Sequence, residues 1–140
     1  MNVIVDTPIW SLALRRTTGA EAHEVEILSE LIKDGRAMLI GLVRQELLSG
    51  IKTTKQFENL REHLAAFPDV PLETADYEQA AAFFNQCRSK GVQGSSIDFL
   101  ICAVAHRRGL EIFTTDGDFT SCAKHLPIKR HQSRTQRRSG

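Results

Sequence analysis

The sequence predicts an α/β domain of three layers, α/β/α, around a central, mainly parallel sheet of four to five short strands. Three observations carry this expectation. Val3-Ile4-Val5 is apolar without alternation, as suits a strand buried on both faces. Helical stretches with apolar residues at helical spacing stand between such short strands, and that order implies a parallel sheet covered on both sides. Asp6 and Asp116 both follow predicted strands, at the end of an open α/β sheet where ligands bind.

Taken in order, the first strand spans Asn2–Val5 and ends at Asp6. Thr7-Pro8 then opens a helix, with Thr7 as its N-cap and Pro8 at its first position. A second helix runs over Gly19–Lys33 on Val25, Ile27, Leu28, Leu31 and Ile32, and Asp34-Gly35 closes it. Ala37–Ile40 is the second strand. Leu42–Leu48 forms a short helix in which Glu46 lies three and four residues beyond Val43 and Leu42, so it shares or borders their inward side. A buried acid there needs a partner, and a metal ion would serve. Thr53–Phe67 is a helix, and Val70-Pro71-Leu72 at best a short edge strand.

Thr74–Arg88 is a long alanine-rich helix capped at Thr74. The next helix starts in the capping box Ser95-x-x-Asp98, with Ile97, Ile101, Val104 and Ala105 on one apolar side. Glu111–Thr114 is a strand that leads into Asp116-Gly117-Asp118. Phe119–Lys124 is a helical turn, and Leu126-Pro127-Ile128 adds a last strand.

At 140 residues the chain is one domain, long enough to bury a core without disulfide or structural metal. The domain spans residues 1–128, and a basic, disordered tail covers 129–140. The formal net charge of +1 hides an asymmetry: five of the 18 basic residues (Lys129, Arg130, Arg134, Arg137, Arg138) lie in that tail, which has no acid. Nucleic acid would therefore be held by a local basic patch and metal, not by overall charge. Cys87, Cys102 and Cys122 have no CxxC spacing and read as small buried hydrophobes in a reducing, cytoplasmic setting. No stretch reads as a signal peptide or a membrane span.

Right-handed crossovers bring Asp6, Glu46, Asp98 and Asp116 towards one edge of the sheet. Clustered carboxylates repel unless a divalent cation neutralises them. Oxygen-only ligation points to Mg²⁺ or Mn²⁺ over zinc, and the five histidines show no metal spacing. Such a site suits attack of water on a phosphodiester. Taken singly, each acid has a structural reading: Asp6 as turn chemistry, Asp98 as a cap, Asp116-Gly117 as a turn, Glu46 as a partly exposed acid whose stem covers apolar surface.

Val3–Thr7, Gln45–Gly50, Ser96–Ala103 and Phe113–Phe119 together resemble the four signature blocks of PIN-domain proteins, above all the VapC toxins of bacterial toxin–antitoxin pairs. The resemblance implies a Mg²⁺-dependent endoribonuclease, with Asp6, Glu46, Asp98 and Asp116 as metal-binding acids. It makes Asp118 an accessory ligand and Thr7 and Thr115 polar helpers. It further implies a VapB-type antitoxin as partner, a homodimer, and tRNA or ribosomal RNA as substrate. Arg44, Lys52, Lys55, Arg88 and Lys90 flank the acidic end in sequence and are candidates for RNA phosphate contacts. A haloacid-dehalogenase-like phosphatase also has an Asp after its first strand, but it needs a second Asp where this chain has Pro8. The alternative from another class is a non-catalytic PIN-like module that binds RNA or protein.

Overall fold

A computed structural model describes residues 2–14 and 22–131 of the chain. Four strands form one sheet, β1 (Val3–Val5), β2 (Ala37–Met38), β3 (Glu111–Phe113) and β4 (Lys129–Arg130), in the order β2-β1-β3-β4. Every pairing is parallel. Seven helices are described: α1 (Thr7–Leu14), α2 (Ala22–Lys33), α3 (Gly41–Leu48), α4 (Thr54–Leu64), α5 (Thr74–Ser89), α6 (Ser96–Arg108) and α7 (Gly117–Ala123). This is the three-layer α/β/α architecture with a parallel sheet that the sequence predicts. Strand β1 is its centre, and Val3, Ile4 and Val5 are wholly out of water, as their unbroken apolar run requires.

The chain leaves β1 in one direction to reach β2 and returns past β1 to build β3 on the other side. The order therefore reverses at the β1–β3 pair, and the carboxyl ends of these two strands define a crevice. Asp6 caps β1 at that end, and its N–H donates to the Phe113 carbonyl at 3.0 Å.

Several elements differ from expectation in ways that matter for the site. Helix α1 begins at Thr7, so Asp6, not Thr7, precedes it: the Ile9 and Trp10 N–H groups donate to the Asp6 carbonyl at 3.1 and 3.4 Å. Helix α5 is capped by Glu73, not Thr74, through a reciprocal box with Asp76. Val70–Leu72 forms no strand; only a bridge between Leu39 and Asp69 extends β2. Pro127 has no N–H to give a ladder, and the last strand is Lys129–Arg130, later than Leu126–Ile128. It is a short, charged edge, a form that resists further pairing. The first residues of the expected Gly19–Lys33 helix, and residues 132–140 of the expected tail, lie outside the described residues.

Helix α6 is not one-sided. Phe99 to Ala105 are all buried, because the sheet covers one side and α5 packs on the other. Cys102, Ala103 and Ala105 are small enough to let α5 approach. Gly109 ends α6 at φ +65, the left-handed conformation that glycine adopts without a Cβ penalty. Cys87, Cys102 and Cys122 are all buried free thiols, as expected.

Two polar networks fix the layers. Arg44 on α3 donates to Asp69 Oδ1 at 2.7 Å, to the Leu64 carbonyl at 3.0 Å and to the Phe67 carbonyl. It so holds the end of α4 and carries Phe67 to Trp10, whose ring it meets edge-on at 5.0 Å. Trp10 Nε1 in turn donates to the Val5 carbonyl at 3.1 Å, which fixes α1 against the end of β1. On the other side, Asp76 of α5 is fully buried and accepts from Arg107 at 2.6 Å and Arg108 at 2.8 Å, both on α6. The Arg108 guanidinium holds the Asp76 carboxyl well below the usual carboxylate range, with help from the Glu73 N–H and Arg107.

Candidate functional site

Asp6, Asp98 and Asp116 come together at the carboxyl end of β1 and β3, each offering a carboxylate oxygen within 4.8 Å of the others. Three different elements deliver them. Asp6 follows β1 directly. Asp116 stands in the connection from β3 to α7. Asp98 lies in the first turn of α6, where its Oδ2 accepts from the Ser95 N–H at 3.1 Å and its own N–H donates to Ser95 Oγ at 3.1 Å. The capping-box reading of Asp98 is therefore right, and it does not compete with the functional one: the cap fixes one oxygen and orients the carboxylate on a rigid helix end.

Asp6 is held just as firmly. Its Oδ1 accepts from the Thr7 N–H at 2.8 Å, and its Oδ2 accepts from the Thr114 hydroxyl at 2.9 Å. The same hydroxyl accepts from the Asp116 N–H at 2.9 Å. Thr114 thus joins two of the three acids, one residue before the expected Thr115, which is exposed. Strand periodicity carries the signal: alternate residues face opposite ways, so a one-residue error changes which threonine meets Asp6.

Asp6 is 2% exposed, and its carboxyl is pushed up to about 6 from 3.8. Burial is the largest cause. The Thr114 and Thr7 hydrogen bonds oppose it, and the negative Asp98 and Asp116 carboxylates add to it. Burial also drives the Cys102 thiol, one turn beyond Asp98, far above the ordinary range, so this thiol stays protonated and inert.

The acids open into a cavity of about 470 Å³, lined also by Thr7, Pro8, Glu46, Gln93 and Ile97. Glu46 stands apart from the tight cluster. It is exposed at the mouth, not buried, and accepts from the Thr7 hydroxyl at 3.1 Å. The buried, partner-seeking Glu46 expected from helix spacing is thus replaced by a rim residue tethered by Thr7. Gly94 forms another part of the rim. A Cβ there would meet the Phe99 ring at 3.1 Å and approach Asp98 Oδ2 at 3.7 Å, so glycine allows the close approach.

Of the candidate phosphate contacts, Arg44 is committed to Asp69 and the end of α4, a structural task that its sequence position did not reveal. Lys52, Lys55, Arg88 and Lys90 are exposed. The Asp118 side chain lies outside what is described.

The donor set fits a hard divalent cation. It is all oxygen and brings together like charges that a cation would relieve, and its members are already oriented by hydrogen bonds. Mg²⁺ is usually bound by one or two carboxylates and water, which an open cavity accommodates.

The family model of the PIN domain matches residues 3–125. Among solved structures, the chain is similar to FitAcB from Neisseria gonorrhoeae, with 20% identity over 93% of this chain and 96% of that one, at a TM-score of 0.74. It is similar to VapBC2 from Rickettsia felis bound to a promoter DNA fragment, with 16% identity, 94% and 98% covered and a TM-score of 0.69. The third, VapBC-5 from Mycobacterium tuberculosis, described as a member of the VapBC family of toxin–antitoxin systems, has 21% identity, 94% and 100% coverage and a TM-score of 0.64. No curated protein sequence gives a significant match.

Proposed function

Because the chain belongs to the PIN-domain family, we propose that it is a metal-dependent endoribonuclease and the toxin of a toxin–antitoxin pair. The observation that carries the chemistry is the convergence of Asp6, Asp98 and Asp116 within 4.8 Å at the switch point of the sheet. Asp6, Asp98 and Asp116 would hold Mg²⁺ or Mn²⁺, with Glu46 at the rim. When bound, the cation would activate water for attack on a phosphodiester and stabilise charge on the phosphate.

The chain's own groups supply the rest. Thr114 keeps Asp6 and Asp116 in one arrangement, and the Ser95 cap keeps Asp98 turned to the cavity. Thr7 links the Glu46 carboxylate to the end of β1, next to the cluster. Lys52, Arg88 and Lys90 are the proposed phosphate contacts; Arg44 is not, since its guanidinium holds α4. The substrate class is structured RNA, tRNA or ribosomal RNA. A VapB-type antitoxin and a homodimer are the proposed assembly, in line with the toxin–antitoxin description that one fold neighbour carries. The domain is proposed to run past the expected boundary at 128 and to include β4, which ends at Arg130, and to work in the cytoplasm. No helix among the described residues is long and apolar enough to cross a membrane.

Induced expression in a bacterial host tests this reading. The wild-type chain should arrest growth, the Asp116→Ala variant should not, and RNA fragments from arrested cells should end in 5′-phosphate and 3′-hydroxyl groups. Fragments ending in 2′,3′-cyclic phosphate would rule out water as the nucleophile.

A further inference from the structure

The last described strand does more than close the sheet. Strand β4 is parallel to β3, with Arg130 opposite Ile112. From there the Arg130 side chain runs along the strand direction to the end of β3. Its guanidinium donates to the Thr114 carbonyl at 3.2 Å and to the Thr120 hydroxyl at 2.8 Å. Thr114 is the residue whose hydroxyl holds Asp6 and the Asp116 N–H, and Thr120 lies on α7, four residues beyond Asp116. Arg130 therefore grips the Asp116 connection on both sides, at its entry and in the helix that follows.

The base of this clamp is itself fixed. The His131 N–H donates to the Ile112 carbonyl at 2.7 Å. His131 Nδ1 lies 2.9 Å from Glu111 Oε1, and its ring meets Phe113 edge-on at 5.8 Å. A short two-residue edge strand would fray if only its ladder held it. Here the Arg130 fork and the contacts of the next residue, His131, anchor its carboxyl end.

Arg suits the task better than Lys would. Its planar fork reaches two acceptors at once with one side chain, and it loses little freedom per bond formed. Such a residue touches neither the metal nor a metal-holding acid; it acts through Thr114, whose hydroxyl bonds Asp6 and the Asp116 N–H.

We propose that Arg130 is a positioning residue for the carboxylate site, acting through Thr114 and the Asp116 connection. The proposal rests on the metal-site reading above. It gives the first part of the basic C-terminal segment a role in setting the geometry of Asp116, distinct from any contact with RNA.

The test compares wild type with Arg130→Ala, Arg130→Lys and Thr120→Val, and with Lys129→Ala as a neighbouring basic control. Two readouts serve: Mn²⁺ affinity by calorimetry, and hydrogen exchange of the Asp116 amide in EDTA. Because Arg130 and Thr120 are exposed, thermal stability in EDTA should change little. Arg130→Ala should weaken Mn²⁺ binding severalfold, short of the about tenfold or more that follows loss of a group bonded directly to a ligand, and speed exchange of the Asp116 amide. Thr120→Val and Arg130→Lys should have smaller effects in the same direction, and Lys129→Ala should have none. Unchanged exchange and affinity in Arg130→Ala, beside a wild type that binds Mn²⁺, would overturn the role of Arg130 alone. Equal weakening by Lys129→Ala would also overturn it, since loss of general positive charge would then suffice. A wild type that takes up no Mn²⁺ would overturn the metal reading, and the positioning role with it.

Discussion

Asp6 is a carboxylate kept out of water beside two others, and its ionisation works against the fold until a cation is present. Its carboxyl is pushed up to about 6, so the folded chain holds that proton more tightly than the unfolded chain, with its ordinary 3.8, does. The stabilisation that this proton brings is fully present below the ordinary carboxylate value and is lost as pH rises through about 6. A rise of this size corresponds to about 3 kcal/mol. In EDTA, wild type should therefore lose stability relative to Asp6→Asn as pH goes from 4 to 8, when urea melts of the two are compared; parallel curves would contradict the burial argument. Thr114 sets a second expectation. Thr114→Val removes the donor to Asp6 and leaves the Asp116 N–H without its acceptor, at a cost of about 1–3 kcal/mol and with most of the RNA cleavage lost. Thr114→Ser keeps the hydroxyl and should retain activity, so equal loss in both variants would assign the effect to packing. The acids themselves were legible in the sequence, because an acid after a strand or in a capping box has a place defined by local rules. Which of Thr114 and Thr115 faces Asp6 was not, since strand ends shift by a residue and each shift turns the side chain over.

At the scale of elements, the pairing of α5 with α6 depends on one buried acid. Asp76 caps the start of α5 and receives both Arg107 and Arg108. Asp76→Asn should cost about 2–3 kcal/mol in a denaturant melt at neutral pH. This is less than the about 3–5 of a fully buried pair, since both guanidiniums remain partly in water. The Asp76 carboxyl is held below its ordinary value, so this contribution is present above pH 4 and is lost on acidification. The gap between wild type and variant should close there, while RNA cleavage per folded molecule stays unchanged at neutral pH. Sequence reading missed this pair, as it missed the task of Arg44, for the same reason. Asp76 lies 31 residues from Arg107, and Arg44 lies 25 from Asp69, and no local spacing rule connects them. Helix positions, by contrast, were set by local signals, such as the Thr53 cap, the Ser95 box and the Gly109 stop. Helix α6 reads as one-sided because small residues such as Cys102 and Ala103 weigh little in an apolar pattern, although they are what a helix packed on two sides requires.

For the molecule as a whole, the strand order β2-β1-β3-β4 explains why residues as far apart as Asp6 and Asp116 share a site: they follow the two strands between which the order reverses. Alternating helices and apolar strands were enough to foresee a parallel sheet and its carboxyl edge. The edges were harder to foresee, because β2 and β4 are only two residues long and gain their place from neighbours, not from β propensity. The central claim is that these carboxylates hold a cation that cleaves RNA. It is tested most directly by the fraction of total bacterial RNA cut by purified protein in Mg²⁺ and in EDTA, for wild type and for Asp98→Asn, a substitution that can keep the cap while removing the charge. Wild type should cut at discrete sites in Mg²⁺ and not in EDTA, and the variant should not cut in either. Cleavage by wild type that persists in EDTA, or equal cleavage by the folded Asp98→Asn protein, would contradict the claim.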